Sequence, residues 1–281
     1  MKAFFIPKKI ITTFATFFTL TVFSIICYSF AKSEPNVEYP YFNQKDVYSS
    51  KEKIAYLTFD DGPNNNVTLK VLDILKKENI KANFFVIGKH VSEYPEVTKL
   101  IYENGHFIGN YTYSHNNNII YKNKETFFNE IKQTDIAIGN AIGISDFCSH
   151  VFRCPNGSMS KINYSKKQEC LRYLPEISYT FVDWNVLNND SMRKYSKTEL
   201  VNNLKKSSLN KGSIIILMHD SGDVNKTFDA LEDSISYLKE QGYEFRTFFD
   251  FVKNGEKGVW PLFSPLELDI FFYSTLFVCR K

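Results

Sequence analysis

The chain has 281 residues, 43% of them hydrophobic and 23% charged, enough for one sizeable globular domain plus a short separate segment. A formal net charge of +3, with both signs mixed and no basic block beyond the N-terminus, gives no basis for a nucleic-acid partner. Five cysteines without a CxxC or Cys/His pattern exclude a structural zinc module.

At the N-terminus, Lys2, Lys8 and Lys9 precede an apolar, uncharged stretch at 10–31. A helix of roughly 20 such residues spans a hydrocarbon core of about 30 Å, and the preceding lysines favour a cytoplasmic N-terminus. The expectation is a single-pass cell-membrane protein with its main domain outside the cytoplasm. A cleaved signal peptide ending near Ser29 and Ala31, giving a secreted protein, is the other open reading. The polar stretch 32–53, with Pro35 and Pro40, reads as a linker.

From residue 54 to 254, short apolar runs alternate with helical patterns. Strands are predicted at 54–59, 82–87, 107–110, 151–153, 179–184, 213–218 and 243–247. Helices are predicted at 68–78, 95–104, 125–141, 165–171, 198–209 and 228–240. This order implies an α/β domain with a parallel sheet, either open or closed into a barrel. Functional groups then belong beyond the C-terminal strand ends. The apolar tail 255–281 has no assigned role. In the body, a Cys148–Cys170 bridge and free thiols are both open readings.

Chemistry-bearing residues recur at the strand ends. Strand one runs into Thr58-Phe59-Asp60-Asp61-Gly62-Pro63, where adjacent carboxylates can take different tasks. Later ends carry Tyr111-Thr112-Tyr113-Ser114-His115, then Arg153-Cys154-Pro155-Asn156, Asp183-Trp184 with Asp190 beyond, and Leu217-Met218-His219-Asp220. Asp-Gly-Pro alone is ordinary turn chemistry, and a lone histidine is usually structural. One polar cluster per strand end is a pattern of a different order.

These blocks resemble the five motifs of the NodB-type polysaccharide deacetylases, carbohydrate esterase family 4, over about residues 53–248. The resemblance implies a distorted (β/α) barrel with an open groove. It also implies removal of acetyl groups from N-acetylated polymers such as peptidoglycan or a chitin-like glycan, with a divalent metal, zinc being the expected one. Carried over residue by residue, Asp60 is the catalytic base, Arg153 its orienting partner, His219 the general acid and Asp190 its support. Asp61 and His115 are metal ligands. Asn156 supplies a backbone N–H to the oxyanion, and Leu217 lines the acetate pocket.

The sequence departs from the family pattern at Tyr111, where a metal-binding histidine is expected four residues before His115. Neutral tyrosine is a poor zinc ligand, so a two-ligand site completed by waters and Tyr111 bound as phenolate are the open readings. Ser191 stands where a groove-lining Trp is common, and Cys154 and Asn156 replace a usual Pro and Tyr. The implied function is a metal-dependent deacetylase of cell-envelope polysaccharide, with peptidoglycan expected. The alternative is a catalytically impaired or inactive glycan-binding homologue.

Overall fold

The computed structural model describes residues 43–192, 194–221 and 225–252. The expected membrane segment 1–31, most of the linker and the tail 255–281 lie outside them. Among the described residues, no helix is long and apolar enough to cross a membrane.

In chain order the first half runs α1 (Gln44–Ser49), β1 (Ile54–Asp60), α2 (Val67–Lys77), β2 (Asn83–Val86), α3 (Gly88–Glu93), α4 (Pro95–Glu103) and β3 (Phe107–Asn110). It continues with α5 (Asn117–Ile120), α6 (Lys124–Ile142), β4 (Val151–Phe152), α7 (Tyr164–Leu171), β5 (Thr180–Phe181) and β6 (Val186–Leu187). The last elements are α8 (Lys197–Ser208), β7 (Ile214–His219), α9 (Asn225–Glu240), β8 (Glu244–Phe245) and α10 (Phe249–Val252).

All strand pairings are parallel, in the order β5-β4-β3-β2-β1-β7-β6, with β8 beside the start of β1. The choice between open sheet and barrel follows from chain length. Seven flat strands spaced about 4.8 Å apart would separate the two edges by about 29 Å. Yet β5, on β4, and β6, on β7, are joined by residues 182–185 alone, which reach about 17 Å at full extension. The sheet must therefore curl, and the stretch 180–187 bridges its two ends as an incomplete barrel wall.

Two apolar layers follow from strand alternation. Ala55, Leu57, Phe59, Ile214, Ile216 and Met218 face outward beneath α2 and α9 residues such as Leu75 and Leu231. Ile54, Tyr56, Phe85, Phe107, Val182 and Ile215 fill the barrel interior. Phe248 stacks on Tyr56 at 5.3 Å between ring centres and joins this interior.

Several elements depart from the sequence reading. The C-terminal part of the expected linker is ordered: α1 is capped by Asn43, and its Val47 is buried in the interior cluster. Helix α3 had no legible amphipathic pattern because it is only six residues long. The strand expected at 179–184 divides at the curl, so β6 appears as a separate pair of residues. Cys148, Cys154 and Cys170 are all free thiols, so the Cys148–Cys170 bridge is not formed.

Candidate active site

The same alternation that puts Tyr56 inside the barrel puts Thr58 and Asp60 there too, at the C-terminal mouth. Asp60 is fully buried, and its Oδ1 accepts from Arg153 Nη1 at 2.8 Å. Arg153 is itself fully buried and also donates to Thr58 Oγ1 (2.6 Å), Val182 O (3.1 Å) and Asp183 O (3.3 Å). Its guanidinium lies 4.0 Å from the centre of the Phe85 ring. Such a fork cannot rotate, so it fixes the carboxylate plane. The second oxygen, Asp60 Oδ2, is buried without a partner. Burial lifts Asp60 to about 6, against the lowering effect of Arg153 and His219.

Across the mouth, Asp60 and His219 are register partners on adjacent parallel strands. Residues 54 and 219 begin and end the two strands that form the barrel's longest pairing, so these groups share one rim despite their distance in sequence. His219 Nδ1 meets Asp190 Oδ1 at 2.7 Å, and the other Asp190 oxygen accepts from His219 N (2.8 Å) and Thr227 Oγ1 (2.6 Å). Burial opposes the charged imidazole. The Asp190 hydrogen bond and charge outweigh it, aided by Asp60 and Asp61, and His219 rises to about 9. Replacing Asp190 with Asn is therefore expected to lower the His219 pKa by about 1–3 pH units, read by NMR titration of the imidazole. Leu217 shares the interior strand face with His219 and is half-buried.

Asp61 follows in a left-handed conformation, φ 77°, and its carbonyl accepts from His90 Nδ1 at 2.8 Å. Asp61 Oδ1 lies 3.6 Å from His115 Nε2, a buried nitrogen with no hydrogen-bond partner. Burial lowers the His115 pKa, with Asp61 opposing. At that distance both groups could reach one cation, the role that the resemblance implies for them. The third position holds Tyr111, buried, with its ring centre 4.8 Å from that of His115. Burial first, and the Asp60 and Asp61 charges next, push the Tyr111 phenol well above its ordinary pKa of 10.0. With no cation beside it, the phenol is neutral at ordinary pH. Among the described residues, no group of three His, Cys, Asp or Glu side chains could hold a metal. A catalytic zinc needs three protein ligands and a water, so the donor set does not fit the expected metal.

Asn156 takes a left-handed conformation, φ 65°, and its exposed side chain accepts from Asn117 at 2.9 Å. Ser191 is exposed beside Asp190, and the Trp184 ring lies 5.7 Å from the Arg153 guanidinium.

A ring of supporting residues was not assigned from sequence. Glu130 Oε2 accepts from Tyr113 N (3.1 Å), Ser114 N (2.8 Å) and Ser114 Oγ (2.9 Å), and so folds the loop that carries Tyr111 and His115. Asp135 holds Asn110 at the end of β3 (3.0 Å). The buried Lys167 donates to Pro155 O (3.2 Å) and Gly157 O (2.7 Å), pinning both sides of Asn156. Asp183 binds Ser158, and Gln44 of α1 accepts from Asp183 N at 2.7 Å. These carboxylates and this lysine sit on helix faces or in loops where a polar residue reads as solvated. Only packing reveals them.

Asp220, named in the sequence block but given no role, is buried against Gly62 and accepts from Thr68 Oγ1 at 2.6 Å. A Cβ at Gly62 would collide with the Asp220 carboxyl. Gly62→Ala is expected to destabilise the fold by about 1–3 kcal/mol, measured by denaturant unfolding.

The polysaccharide deacetylase family model matches residues 48–170. A peptidoglycan-N-acetylglucosamine deacetylase of Bacillus cereus is 32% identical over 228 residues, 78% of each chain. The peptidoglycan-N-acetylmuramic acid deacetylase PdaA of Bacillus subtilis is 33% identical over 203 residues, 72% of each. Among solved structures, the catalytic domain of a peptidoglycan N-acetylglucosamine deacetylase from Eubacterium rectale aligns with a TM-score of 0.63 and 29% identity, covering 69% of this chain and 88% of that one. The shared barrel, the ordered strand-end blocks and this extent of identity place the chain in one family: it belongs to the polysaccharide deacetylases.

Proposed function

We propose that this protein hydrolyses the N-acetyl amide of a cell-envelope polysaccharide, with peptidoglycan as substrate and with Asp60 as base and His219 as acid. The observation that carries this is their register pairing at one barrel mouth, with Asp60 Oδ2 free and His219 held protonated. Asp60 Oδ2 takes a proton from a water attacking the acetyl carbon, while Arg153 holds the other oxygen still. His219, charged at neutral pH, gives its proton to the sugar nitrogen as the C–N bond breaks. Asp190 orients the ring and keeps that proton available. The half-buried Leu217 offers an apolar wall for the acetyl methyl. Peptidoglycan as substrate is supported by the activities of the two curated relatives. Placement outside the cytoplasm, by a membrane anchor or by secretion, rests on the apolar segment 10–31.

The test is acetate release from peptidoglycan and from N-acetylglucosamine oligomers by the purified full chain. Release abolished by His219→Ala supports the reading, and no release from any acetylated glycan overturns it.

One observation favours a second reading, a glycan-binding homologue without turnover: Tyr111 occupies the third ligand position. On that reading the chain retains glycan oligomers unchanged, which equilibrium binding followed by mass analysis of the recovered oligomer detects.

A further inference from the structure

The barrel mouth is not evenly charged. All strands are parallel, so the segments that follow β3, β4 and β6 emerge at the same end as Asp60 and His219. They are residues 111–123, 153–163 and 188–196. The first two are tied together: Asn117 Nδ2 donates to Asn156 Oδ1 at 2.9 Å, and Asn163 Nδ2 donates to Asn117 O at 3.0 Å. The second meets the 182–185 bridge at Gly157, where a Cβ would come within 2.8 Å of the Trp184 ring. Together with the first turn of α7, these segments form one side of the rim. Lys122, Lys161 and Lys194 are exposed on them, and Lys166 on that turn of α7. Among the described residues, none of these four lysines forms an ion pair, whereas Lys77, Lys197 and Lys239 on the surrounding helices do. The one carboxylate within the three segments is Asp190, buried against His219. Asp183, on the bridge, is engaged by Ser158. Apolar side chains stand exposed on the same segments: Met159 is 72% exposed and Ile162 52%, with Met192 at 48% after β6. Apolar groups left in water around a functional mouth mark a contact surface.

We propose that this side of the rim is a docking surface for the carboxylate-bearing peptide substituents of the glycan, so that the protein selects peptide-bearing strands over bare ones. The proposal rests on the deacetylase reading above and names the form of substrate that the same site takes. A neutral glycan offers neither carboxylates nor alkyl side chains. The peptides of peptidoglycan offer both, and they project from a strand whose sugars enter the mouth. The unpaired lysines meet the carboxylates, while Met159 and Ile162 cover alkyl groups between them. A cation-only rim also raises the local concentration of an anionic strand at the mouth. A lipid surface suits cations and apolar groups too. Seated on these residues, however, it would lie across the opening that leads to Asp60 and His219, because the rim segments and the catalytic groups share one end of the barrel. Exposed contacts of this kind are individually weak and screened by salt, so the surface tunes the choice of strand and leaves the chemistry to the groups inside.

The test uses the full chain and compares acetate release from soluble peptidoglycan strands bearing peptides, from the same strands stripped of peptides by an amidase, and from N-acetylglucosamine oligomers. At low ionic strength, kcat/KM for the peptide-bearing strands is expected to exceed that for the stripped strands by about 10-fold, mostly through KM. Raising the salt to about 0.5 M is expected to remove most of that preference. The double variant Lys161→Glu, Lys166→Glu is expected to bring the ratio close to unity already at low salt, and to unfold thermally as the parent does, because both side chains are exposed. Release from stripped strands as efficient as from peptide-bearing ones overturns this proposal alone, as does a preference that survives both high salt and the double variant. A double variant that keeps the preference but loses retention on phosphatidylglycerol vesicles, relative to phosphatidylcholine vesicles, assigns the rim to a lipid surface and overturns the proposal as well. Absence of release from all of these substrates defeats the deacetylase reading, and this proposal with it.

Discussion

Asp60→Asn is expected to reduce acetate release by about 10³-fold while leaving the fold as stable as the parent or more so. The loss of activity follows from the geometry. Oδ2 is the unpartnered carboxylate oxygen at the mouth, and an amide there cannot take a proton from water. The stability outcome follows from linkage. Asp60 has a folded-state pKa near 6 against an ordinary 3.8, so the folded chain binds the proton more tightly than the unfolded chain does. Stability from this group therefore falls as pH rises from 3.8 to about 6, and at neutral pH the buried charge costs free energy even with Arg153 beside it. Asparagine removes that charge and keeps the shape. Arg153 retains Thr58, Val182 and Asp183 as acceptors. Initial rates and thermal unfolding at pH 7, measured on the same preparation, separate the two effects. A variant that loses activity only because it unfolds contradicts the assignment.

Arg153→Met is expected to be the most destabilising single change in the site, at about 3–5 kcal/mol. The side chain fits a buried space, but the fork disappears. Asp60 Oδ1 and the carbonyls of Val182 and Asp183 then lose donors inside the barrel. Removing one member of a buried pair strands the other, which costs more than the pair itself contributes. For a domain of this size the melting temperature should fall by about 10 °C. The variant should also lose activity near neutral pH, because without Arg153 only His219 offsets the burial that raises Asp60, and the base is protonated more of the time. Thermal unfolding and a pH–rate series check both outcomes. A melting temperature within about 2 °C of the parent would show that Arg153 does not hold the barrel mouth.

The two residues differ in what they protect. Asp60 trades stability for a reactive carboxylate, as functional groups often do. Arg153 stabilises the site by joining β4, β1 and the 182–183 bridge through four hydrogen bonds. It sits where the curled sheet is held by only two-residue strands, β5 and β6. The same arginine therefore ties the base in place and helps close the wall behind it.

Most of the helices and strands were legible because their apolar spacing is local. Helix 68–78 is found at Val67–Lys77, and strand 107–110 at Phe107–Asn110. The motif blocks were legible for the same reason, since each is contiguous. Residues such as Glu130 and Lys167 were not, because a charge on a helix reads alike whether it faces water or a loop backbone. The expected zinc ligand set was legible in part. The sequence named Asp61, His115 and the intruding Tyr111, but not that the tyrosine ring would be buried in the interior apolar cluster.

Strand order along the chain and the inward alternation at Tyr56, Thr58 and Asp60 are properties of the sequence alone, because a side-chain period of two needs no partner to define it. The pairing of Asp60 with His219, 159 positions later, was decided only by the tertiary structure. It depends on β7 crossing back to β1, and on a four-residue bridge too short for the sheet to stay flat.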